Sequence, residues 1–204
     1  MDRKMHWETI YQTKSPSKVS WYQERPIKSL QLIKEMGVHK DAQVIDIGGG
    51  ASSLADHLLN AGYKHVTVLD ISAKALENSK QRLGKQAKEI QWMVGDITQV
   101  DLPSGSYDIW HDRAVFHFLT QAEDRKRYVD VLGKSLKPGG HLIIATFAAD
   151  GPPKCSGLDV MRYSADGLRR ELGEKFRLVK SLDEVHQTPF DTQQKFVFCH
   201  FQKA

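Results

Sequence analysis

The sequence predicts an α/β protein built on a mainly parallel sheet with helices on its faces. Short apolar runs typical of buried strands alternate along the chain with amphipathic helical patterns, which is the order of βαβ units. The first run, Gln43 to Ile47, is followed at once by three glycines, as where a parallel strand breaks into a tight turn at the carboxyl end of a sheet. With 204 residues and no internal repeat or linker, the chain is predicted to be one domain spanning 1–204.

Each predicted element rests on its apolar spacing and on the residues that bound it. Pro26 opens the second helix, at a position where its missing N–H costs little. Leu30, Leu32 and Ile33 form the predicted buried stripe of that helix, and Ser72 is the predicted N-cap of the fourth. The predicted helices are 5–11, 27–36, 53–60, 72–83, 121–136 and 164–172, and the predicted strands are 43–47, 66–69, 90–94, 107–110, 141–147, 176–182 and 195–201.

Composition narrows the class of protein. Apolar residues make up 40% and charged residues 26%, ordinary values for a globular protein, and no apolar run reaches membrane-spanning length. The net charge is +4, but most Lys and Arg residues stand beside Asp or Glu and form no basic patch in the sequence. We therefore expect neither a nucleic-acid nor a membrane partner. Residues 1–7 lack the apolar core of a secretory signal, and Cys155 and Cys199 have no metal or redox spacing. The expected location is therefore a reducing cytoplasm.

The glycine turn after the first strand is the main clue to function. Gly48, Gly49 and Gly50 stand where open α/β sheets bind nucleotide-like ligands, and a glycine lets a ligand approach where a Cβ would obstruct it. The dinucleotide pattern G-x-G-x-x-G is incomplete because Ser53 takes its third position, and no Gly-Lys-Ser/Thr follows the turn. Asp46, just before the turn, would repel a pyrophosphate but attract a cationic amino group. These features favour a nucleotide-like cofactor without phosphates.

Acidic residues also follow the second and third strands. Asp70 ends the second strand, where a carboxylate can accept hydrogen bonds from both hydroxyls of an adenosine ribose. Asp96, after the third strand, is placed to accept from the adenine amino group, with Ile97 against the ring face. Ile71, directly after Asp70, is assigned to the same cofactor site. Because parallel strands end at one edge of the sheet, we expect these residues to surround one adenosyl group.

Four features, in this order and spacing, resemble the class I S-adenosylmethionine-dependent methyltransferases: D-I-G-G-G at 46–50, Asp70, Gly95-Asp96 and Leu136 to Gly140. The resemblance covers nearly the whole chain. It implies a Rossmann-like sheet of seven strands in the order 3-2-1-4-5-7-6, with strand 7 antiparallel, and S-adenosylmethionine as the cofactor. It also implies that residues 1–26 form a lid, in which Trp21 is a candidate for cation–π contact with the sulfonium. An NAD-binding domain and a non-catalytic Rossmann-like module are the alternatives.

The predicted fourth strand leads into an unusually polar stretch, which we interpret as the catalytic region. His111 and Asp112 are the candidates to face the methionine part of the cofactor, and Arg113 is a candidate bidentate donor to an anionic substrate. His117 is a candidate general base near neutral pH. Structural alternatives stay open, namely an Asp112–Arg113 ion pair that orders the loop and a His117 packed between two phenylalanines. No zinc-type spacing is present, so no metal is predicted.

The same resemblance leaves the methyl acceptor open between two classes. Residues 109–114 and Gly151-Pro152-Pro153 are similar to thiopurine and thiol S-methyltransferases, whereas the first half of the chain resembles protein-lysine methyltransferases. The Asn/Asp-Pro-Pro-Tyr/Phe pattern of enzymes that methylate nucleic-acid bases is absent after strand 4. We therefore predict a small-molecule acceptor with a sulfur, nitrogen or oxygen nucleophile. A protein lysine is the second possibility, and a cofactor-binding regulatory module without turnover is the third.

Overall fold

The computed structural model describes residues 2–204 and confirms the α/β prediction. Met1, the first residue of the predicted lid 1–26, lies outside the described residues. The helices are α1 Arg3–Thr13, α2 Ile27–Glu35, α3 Leu54–Asn60, α4 Ala73–Leu83, α5 Ala122–Ser135 and α6 Ala165–Leu172. The strands are β1 Gln43–Ile47, β2 His65–Asp70, β3 Ile90–Val94, β4 Tyr107–Arg113, β5 Leu136–Phe147, β6 Lys154–Cys155, β7 Leu158–Asp159, β8 Phe176–Gln187 and β9 Gln193–Lys203. Short 3₁₀ turns occupy Pro16–Lys18, Gly84–Glu89 and Phe116–Phe118.

Seven of these strands form one sheet in the order β3-β2-β1-β4-β5-β9-β8. The pairs from β3 through β5 are parallel, and β9 is antiparallel to both of its neighbours. This is the predicted topology, with β8 and β9 as its sixth and seventh strands. The chain order reverses between β1 and β4, so the crevice in which such sheets bind ligands lies beyond the carboxyl ends of these two strands.

The main departure from the predicted boundaries is in β4, which continues through the polar stretch to Arg113. Its ladder with β1 reaches Asp112, and its ladder with β5 reaches Arg113. The sequence prediction ended this strand at residue 110 because polar side chains are uncommon in a central strand. Here the buried polar groups are paired with other side chains, as His111 is with Asp46, which removes most of the cost of their burial.

Other elements also differ from the predictions, and β5 begins at Leu136 rather than at residue 141. β8 extends beyond the predicted end at residue 182 because it pairs with β9 along its whole length, as far as Gln187. In α2, the buried residues are Ser29, Leu32 and Ile33, whereas Leu30 is only half-buried. Ser29 replaces Leu30 in the buried stripe because its hydroxyl contacts a histidine of β4.

Helices cover both faces of the sheet, and strand alternation decides which residue meets which helix. In β4, Ile109 packs in the cluster that contains residues of α2, α3 and α4, and Trp110 packs in the cluster that contains residues of α5 and α6. Successive side chains of a strand point to opposite faces. His111 therefore shares the α2 face with Ile109, and Asp112 shares the α5 face with Trp110.

Candidate active site

The turn after β1 has no room for side chains. Gly48 has a φ of +67°, and a Cβ at this position would overlap the side chain of Val115, from the segment after β4. A Cβ on Gly49 would overlap the carboxylate of Asp46. Bare backbone therefore lines the carboxyl edge of the sheet, where a ligand can contact it directly.

Asp46, His111 and Ser29 form a buried hydrogen-bonded chain below this turn. Nδ1 of His111 lies 2.6 Å from Oδ1 of Asp46, and its Nε2 lies 2.8 Å from Oγ of Ser29. Both ring nitrogens of His111 are thus engaged, whereas Oδ2 of Asp46 is buried without a hydrogen-bond partner among the described residues. The chain holds the Asp46 carboxylate in place and leaves one of its oxygens to accept from a ligand.

Asp70, at the end of β2, supports the glycine turn from the other side. Its Oδ2 accepts from the N–H of Gly50 at 3.0 Å, and its Oδ1 accepts from the N–H of Ser72 at 2.8 Å. Burial raises the pKa of Asp70 to about 6, against the lowering effect of these two N–H groups. Each carboxylate oxygen keeps a second lone pair. Asp70 can therefore accept from ligand hydroxyls while it holds the turn.

Asp96 is engaged by its own loop and by the N-terminal helix. Its Oδ1 accepts from the N–H and the hydroxyl of Thr98, at 2.9 and 2.8 Å. Its Oδ2 lies 3.1 Å from Nη2 of Arg3, whose Nη1 lies 3.2 Å from Asp124. The adenine-binding role predicted for Asp96 therefore has to use the lone pairs that these contacts leave.

These residues surround two adjoining cavities, which we call the large and the small cavity. The predicted site residues that line the large cavity are Trp21, Gly48, Asp70, Ile71, Asp96, Ile97 and Arg113. Those that line the small cavity are Trp21, Asp46, Gly48, Gly49, His111 and Arg113. The cavities share Tyr11, Trp21, Ile47, Gly48 and Arg113, so one ligand can extend from one into the other.

One face of α1 supplies cavity residues that the sequence analysis missed. Arg3, Trp7 and Tyr11 all line the large cavity, and their spacing of four residues places them in a row on the helix. This four-residue spacing is the sequence feature from which the row could have been predicted. The ring of Trp7 packs edge-on against Trp21 and Phe118, with centroids 5.6 and 5.0 Å apart. An aromatic layer thus joins α1 to the segment after β4 across the cavity.

The same helix is tied to the start of α4. Oε2 of Glu8 accepts from the hydroxyl of Ser72 at 2.6 Å, and its Oε1 accepts from the N–H of Lys74 at 3.2 Å. Ser72 also has the predicted capping role, since its hydroxyl accepts from the N–H of Ala75 at 3.1 Å. A carboxylate at a helix N-terminus is favoured by the helix dipole as well. Glu8 therefore holds α1 over the cavity.

Arg113 lies between the two cavities. Its Nη1 donates to the backbone oxygen of Trp21 at 2.9 Å, and the guanidinium carbon lies 4.8 Å from the ring centroid of Phe196. Its Nε and Nη2 are buried without a hydrogen-bond partner among the described residues. The ion pair with Asp112 that the sequence left open is not found among the described residues, because neighbouring residues of a strand face opposite ways.

Asp112 is placed away from both cavities, under α5. Its Oδ2 accepts from the hydroxyl of Tyr128 at 2.7 Å, and its Oδ1 accepts from the N–H of Val115 at 2.8 Å. Phe116 N–H also donates to it, at 3.1 Å. Burial raises its pKa to about 6. This placement disagrees with the prediction that Asp112 faces the methionine part of the cofactor, and it favours a role in ordering the segment after β4.

His117 is likewise outside both cavities. It is fully buried, and its ring packs against Phe118 and Phe147 with centroids 4.5 and 4.8 Å away. Its Nδ1 accepts from the N–H of Phe147 at 3.3 Å. Burial, with the nearby charge of Arg113, lowers its pKa to about 3. This placement disagrees with a general-base role and favours the packed-aromatic alternative.

Within residues 2–204, no cluster of three or more His, Cys, Asp or Glu side chains is arranged to hold a metal ion. In the same part of the chain, no helix combines the length and the apolar character needed to cross a membrane.

Comparison with known proteins agrees with this geometry. A family model described as a methyltransferase domain matches residues 45–144, the part of the chain that contains the glycine turn, Asp70 and Asp96. The chain belongs to the class I, Rossmann-like S-adenosylmethionine-dependent methyltransferases. This establishes the family that the sequence resemblance implied.

Curated relatives include methyltransferases of an elongation factor. The chain is 24% identical over 148 residues to the eEF1A lysine and N-terminal methyltransferase of Danio rerio, covering 71% of this chain and 21% of that protein. It is 25% identical over 193 residues to EEF1A lysine methyltransferase 2 of Homo sapiens, covering 87% of this chain and 75% of that protein. The chain thus spans about a fifth of the length of the first curated relatives that it matches.

Solved structures share the fold at low identity. A protein from work on the conversion of a disulfide bond into a thioacetal group during echinomycin biosynthesis superposes with a TM-score of 0.81 and 18% identity, over 99% of this chain and 92% of that one. The 1,6-didemethyltoxoflavin-N1-methyltransferase of Burkholderia thailandensis, solved with 1,6-didemethyltoxoflavin and S-adenosylhomocysteine, gives 0.72 and 17%, over 98% and 87%. At these identities the likeness shows the fold.

S-adenosylmethionine is the cofactor of this family, and the residues of this chain fit it. The unpartnered oxygen of Asp46 suits an ammonium group, and Gly48 lines both cavities, where a ligand can contact its backbone. The walls of the large cavity combine apolar side chains with Asp70, as a nucleoside requires.

Proposed function

We propose that the chain transfers the methyl group of S-adenosylmethionine to a small-molecule acceptor. The observation that carries this proposal is the cover over the cavity. Trp7 and Tyr11 of α1, together with Trp21, line one wall of the large cavity and pack on one another. A small molecule can be enclosed under such a cover, whereas a folded protein substrate has to present its side chain through it.

The proposed cofactor pose uses three acidic side chains. Asp70 accepts from the ribose hydroxyls, and Asp96 with Ile71 and Ile97 borders the adenine. Asp46, fixed by His111, receives the amino group of the methionine part. The support for this pose is that all six residues line the two cavities. The strands that lead to the three acidic residues, β3, β2 and β1, are also neighbours in the sheet.

The proposed chemistry is an in-line displacement at the methyl carbon. Bound in this site, S-adenosylmethionine supplies a methyl carbon on a sulfonium; the acceptor's lone pair forms the new bond while the C–S pair returns to sulfur, which leaves S-adenosylhomocysteine. The protein aligns the two reactants, and such alignment is worth on the order of 7–11 kcal/mol. Both nitrogens of His111 are engaged and His117 lies elsewhere, so we favour an acceptor that loses its proton readily, such as a thiol.

Protein-lysine methylation is the second candidate. Its support is the human EEF1A lysine methyltransferase 2, which matches 87% of this chain. Against it stands Arg113, a buried cation on the wall of both cavities, because like charges repel strongly where water is excluded. We therefore rank a lysine ammonium below an uncharged or anionic small molecule. We also place the enzyme in a reducing cytoplasm, in keeping with two buried free cysteines, Cys155 and Cys199.

The test is a transfer experiment with tritiated S-adenosylmethionine and a lysate of the source organism. Purified protein is incubated with both, and the label is then separated by ultrafiltration into protein and small-molecule fractions. The matched control is Asp70→Ala, which removes the proposed ribose anchor. Label that depends on the intact chain and appears among small molecules supports the proposal. Label in a protein band supports lysine methylation instead, and cofactor binding without transfer to either fraction contradicts both.

A further inference from the structure

Among the described residues, the guanidinium of Arg113 forms no ion pair within 4 Å, although the carboxylates of Glu184 and Asp46 are close enough to raise its pKa. Among the described residues that line either cavity, the only other guanidinium belongs to Arg3, and that one is paired with Asp96 and Asp124. Burial lowers the pKa of Arg113 to about 10, so the group remains a cation at neutral pH. A buried cation is costly unless an anion compensates it. Among the described residues, the backbone oxygen of Trp21 is the one hydrogen-bond acceptor that this group has.

The two donors of Arg113 without a hydrogen-bond partner among the described residues are Nε and Nη2. This pair can bind both oxygens of one carboxylate. Nη1 of Arg113 is engaged by Trp21, which leaves Nε and Nη2, and both are buried. Their N–H bonds run parallel along one edge of the planar guanidinium and match the two oxygens of a carboxylate. The ring of Phe196 lies against the group and limits its rotation. One pair of parallel N–H donors held in a fixed orientation is suited to bind a single carboxylate, which carries one negative charge.

The residues around Arg113 indicate the chemical character of the rest of the ligand. The walls of the large cavity near it are mostly apolar and aromatic, and they include Trp7, Trp21, Phe118 and Phe196. Rings on these walls offer edge and face contacts to another planar ring. We propose that Arg113 binds the carboxylate of the methyl acceptor, which is therefore an aromatic carboxylic acid. This inference rests on the proposed function, since it names the substrate class of the same site.

A carboxylate at Arg113 has two possible sources, the acceptor and the methionine part of the cofactor. Arg113 borders both cavities, and Asp46 is close enough to raise its pKa. We assign the acceptor because the aromatic walls continue from the guanidinium. The experiment therefore measures cofactor binding and acid binding separately.

The experiment is a calorimetric titration of the full chain. First, the affinity for S-adenosylhomocysteine is measured for the wild type, Arg113→Met and Arg113→Lys. Each protein is then saturated with S-adenosylhomocysteine and titrated with benzoate, phenylacetate and the two corresponding amides, which have the same shape without the charge. Arg3→Met is the matched control, because it makes the same chemical change on the wall of the same cavity. Thermal unfolding confirms that each variant is folded.

We expect the wild type to bind at least one acid about tenfold or more tightly than its amide. Arg113→Met should remove this preference and Arg113→Lys should reduce it, because an ammonium lacks the pair of parallel donors. Loss of the Trp21 contact should lower the affinity for S-adenosylhomocysteine in both variants by less than about tenfold, and Arg3→Met should keep the preference for the acid.

Two results would overturn the inference while leaving the methyltransferase assignment intact. One is a wild type that binds S-adenosylhomocysteine but neither acid better than its amide, and this result does not depend on any variant folding. The other is an Arg113→Met protein that loses S-adenosylhomocysteine affinity by about tenfold or more, which would assign these donors to the cofactor. A wild type that does not bind S-adenosylhomocysteine at all contradicts the proposed function itself.

Discussion

At the scale of single residues, Asp70 and Asp112 show how similar carboxylates acquire different tasks. Asp70 is the last residue of β2 and Asp112 the last but one of β4. Both are buried, and burial raises the pKa of each to about 6. Asp70 faces the large cavity and keeps lone pairs for a ligand. Asp112 faces α5, where Tyr128 and two backbone N–H groups use its oxygens. Only the direction of the side chain separates a ligand-binding acid from a structural one.

The raised pKa of Asp70 gives cofactor binding a predicted pH dependence. Ligand hydroxyls need the ionised carboxylate, so affinity for S-adenosylhomocysteine should be constant above about pH 6 and fall by up to about tenfold per pH unit below it. Asp70→Ala should lower the affinity at pH 8 by at least about 100-fold, because hydrogen bonds to a charged group are lost. Asp70→Asn should bind weakly with a flat profile. Calorimetry between about pH 5 and pH 8 measures all three, and a flat wild-type profile would contradict this role.

At the scale of elements, the cover formed by α1 depends on few contacts. Glu8 joins this helix to the start of α4, and Trp7 joins it to the segment after β4. A cofactor bound against α1 should leave faster when these contacts open. Opening of such covers often limits the rate of ligand exchange.

Removal of the Glu8 contact should therefore speed cofactor release. We expect Glu8→Ala to raise the dissociation rate of S-adenosylhomocysteine by about tenfold, since the charge-assisted bonds to Ser72 and Lys74 are lost. Thr9→Ala, on the exposed side of the same helix, is the control and should release at the wild-type rate. Stopped-flow fluorescence measures release, and hydrogen exchange should show α1 amides protected by the ligand only in the wild type. Equal release rates in both variants would remove α1 from gating.

The elements of the sheet were predictable because their signals are local. The apolar run before Asp46, the glycines after it and the cap at Ser72 each depend on a few neighbouring residues. The end of β4 was not predictable, because His111 and Asp112 are tolerated in a central strand only through partners distant in sequence. The resemblance implied that residues 1–26 form a lid, but the cavity residues of α1 were missed because contacts distant in sequence decide which face of that helix meets the cavity.

At the scale of the whole molecule, the buried His117 should make stability depend on pH. The unfolded chain protonates this ring near 6.5 and the folded chain only near 3, so the unfolded state binds more protons between these values. Its contribution to stability is therefore present above about pH 6.5 and lost as the pH falls toward 3. The expected slope is about 1.4 kcal/mol per pH unit.

A His117→Phe variant tests this by difference. The free energy of unfolding of the wild type minus that of the variant should rise by about 1.4 kcal/mol per pH unit between about pH 4 and pH 6. Phe147→Leu perturbs the same packing without a titratable group, so its difference from wild type should be a constant offset. Urea unfolding supplies the free energies. Turnover per folded molecule should survive in His117→Phe, and its loss at unchanged stability would restore the general-base role.

The contact between Arg113 and the backbone oxygen of Trp21 has a consequence for the kinetic order of the reaction. This hydrogen bond holds the segment after α1 against the end of β4, and Glu8 holds α1 against the start of α4. Two contacts therefore keep the N-terminal segment in place beside the proposed cofactor site. We expect an ordered sequence in which the methyl donor enters first and its spent form departs last. We expect accumulated S-adenosylhomocysteine to inhibit such an enzyme. Its rate in the cell should then depend on the ratio of S-adenosylmethionine to S-adenosylhomocysteine, and not on the acceptor concentration alone.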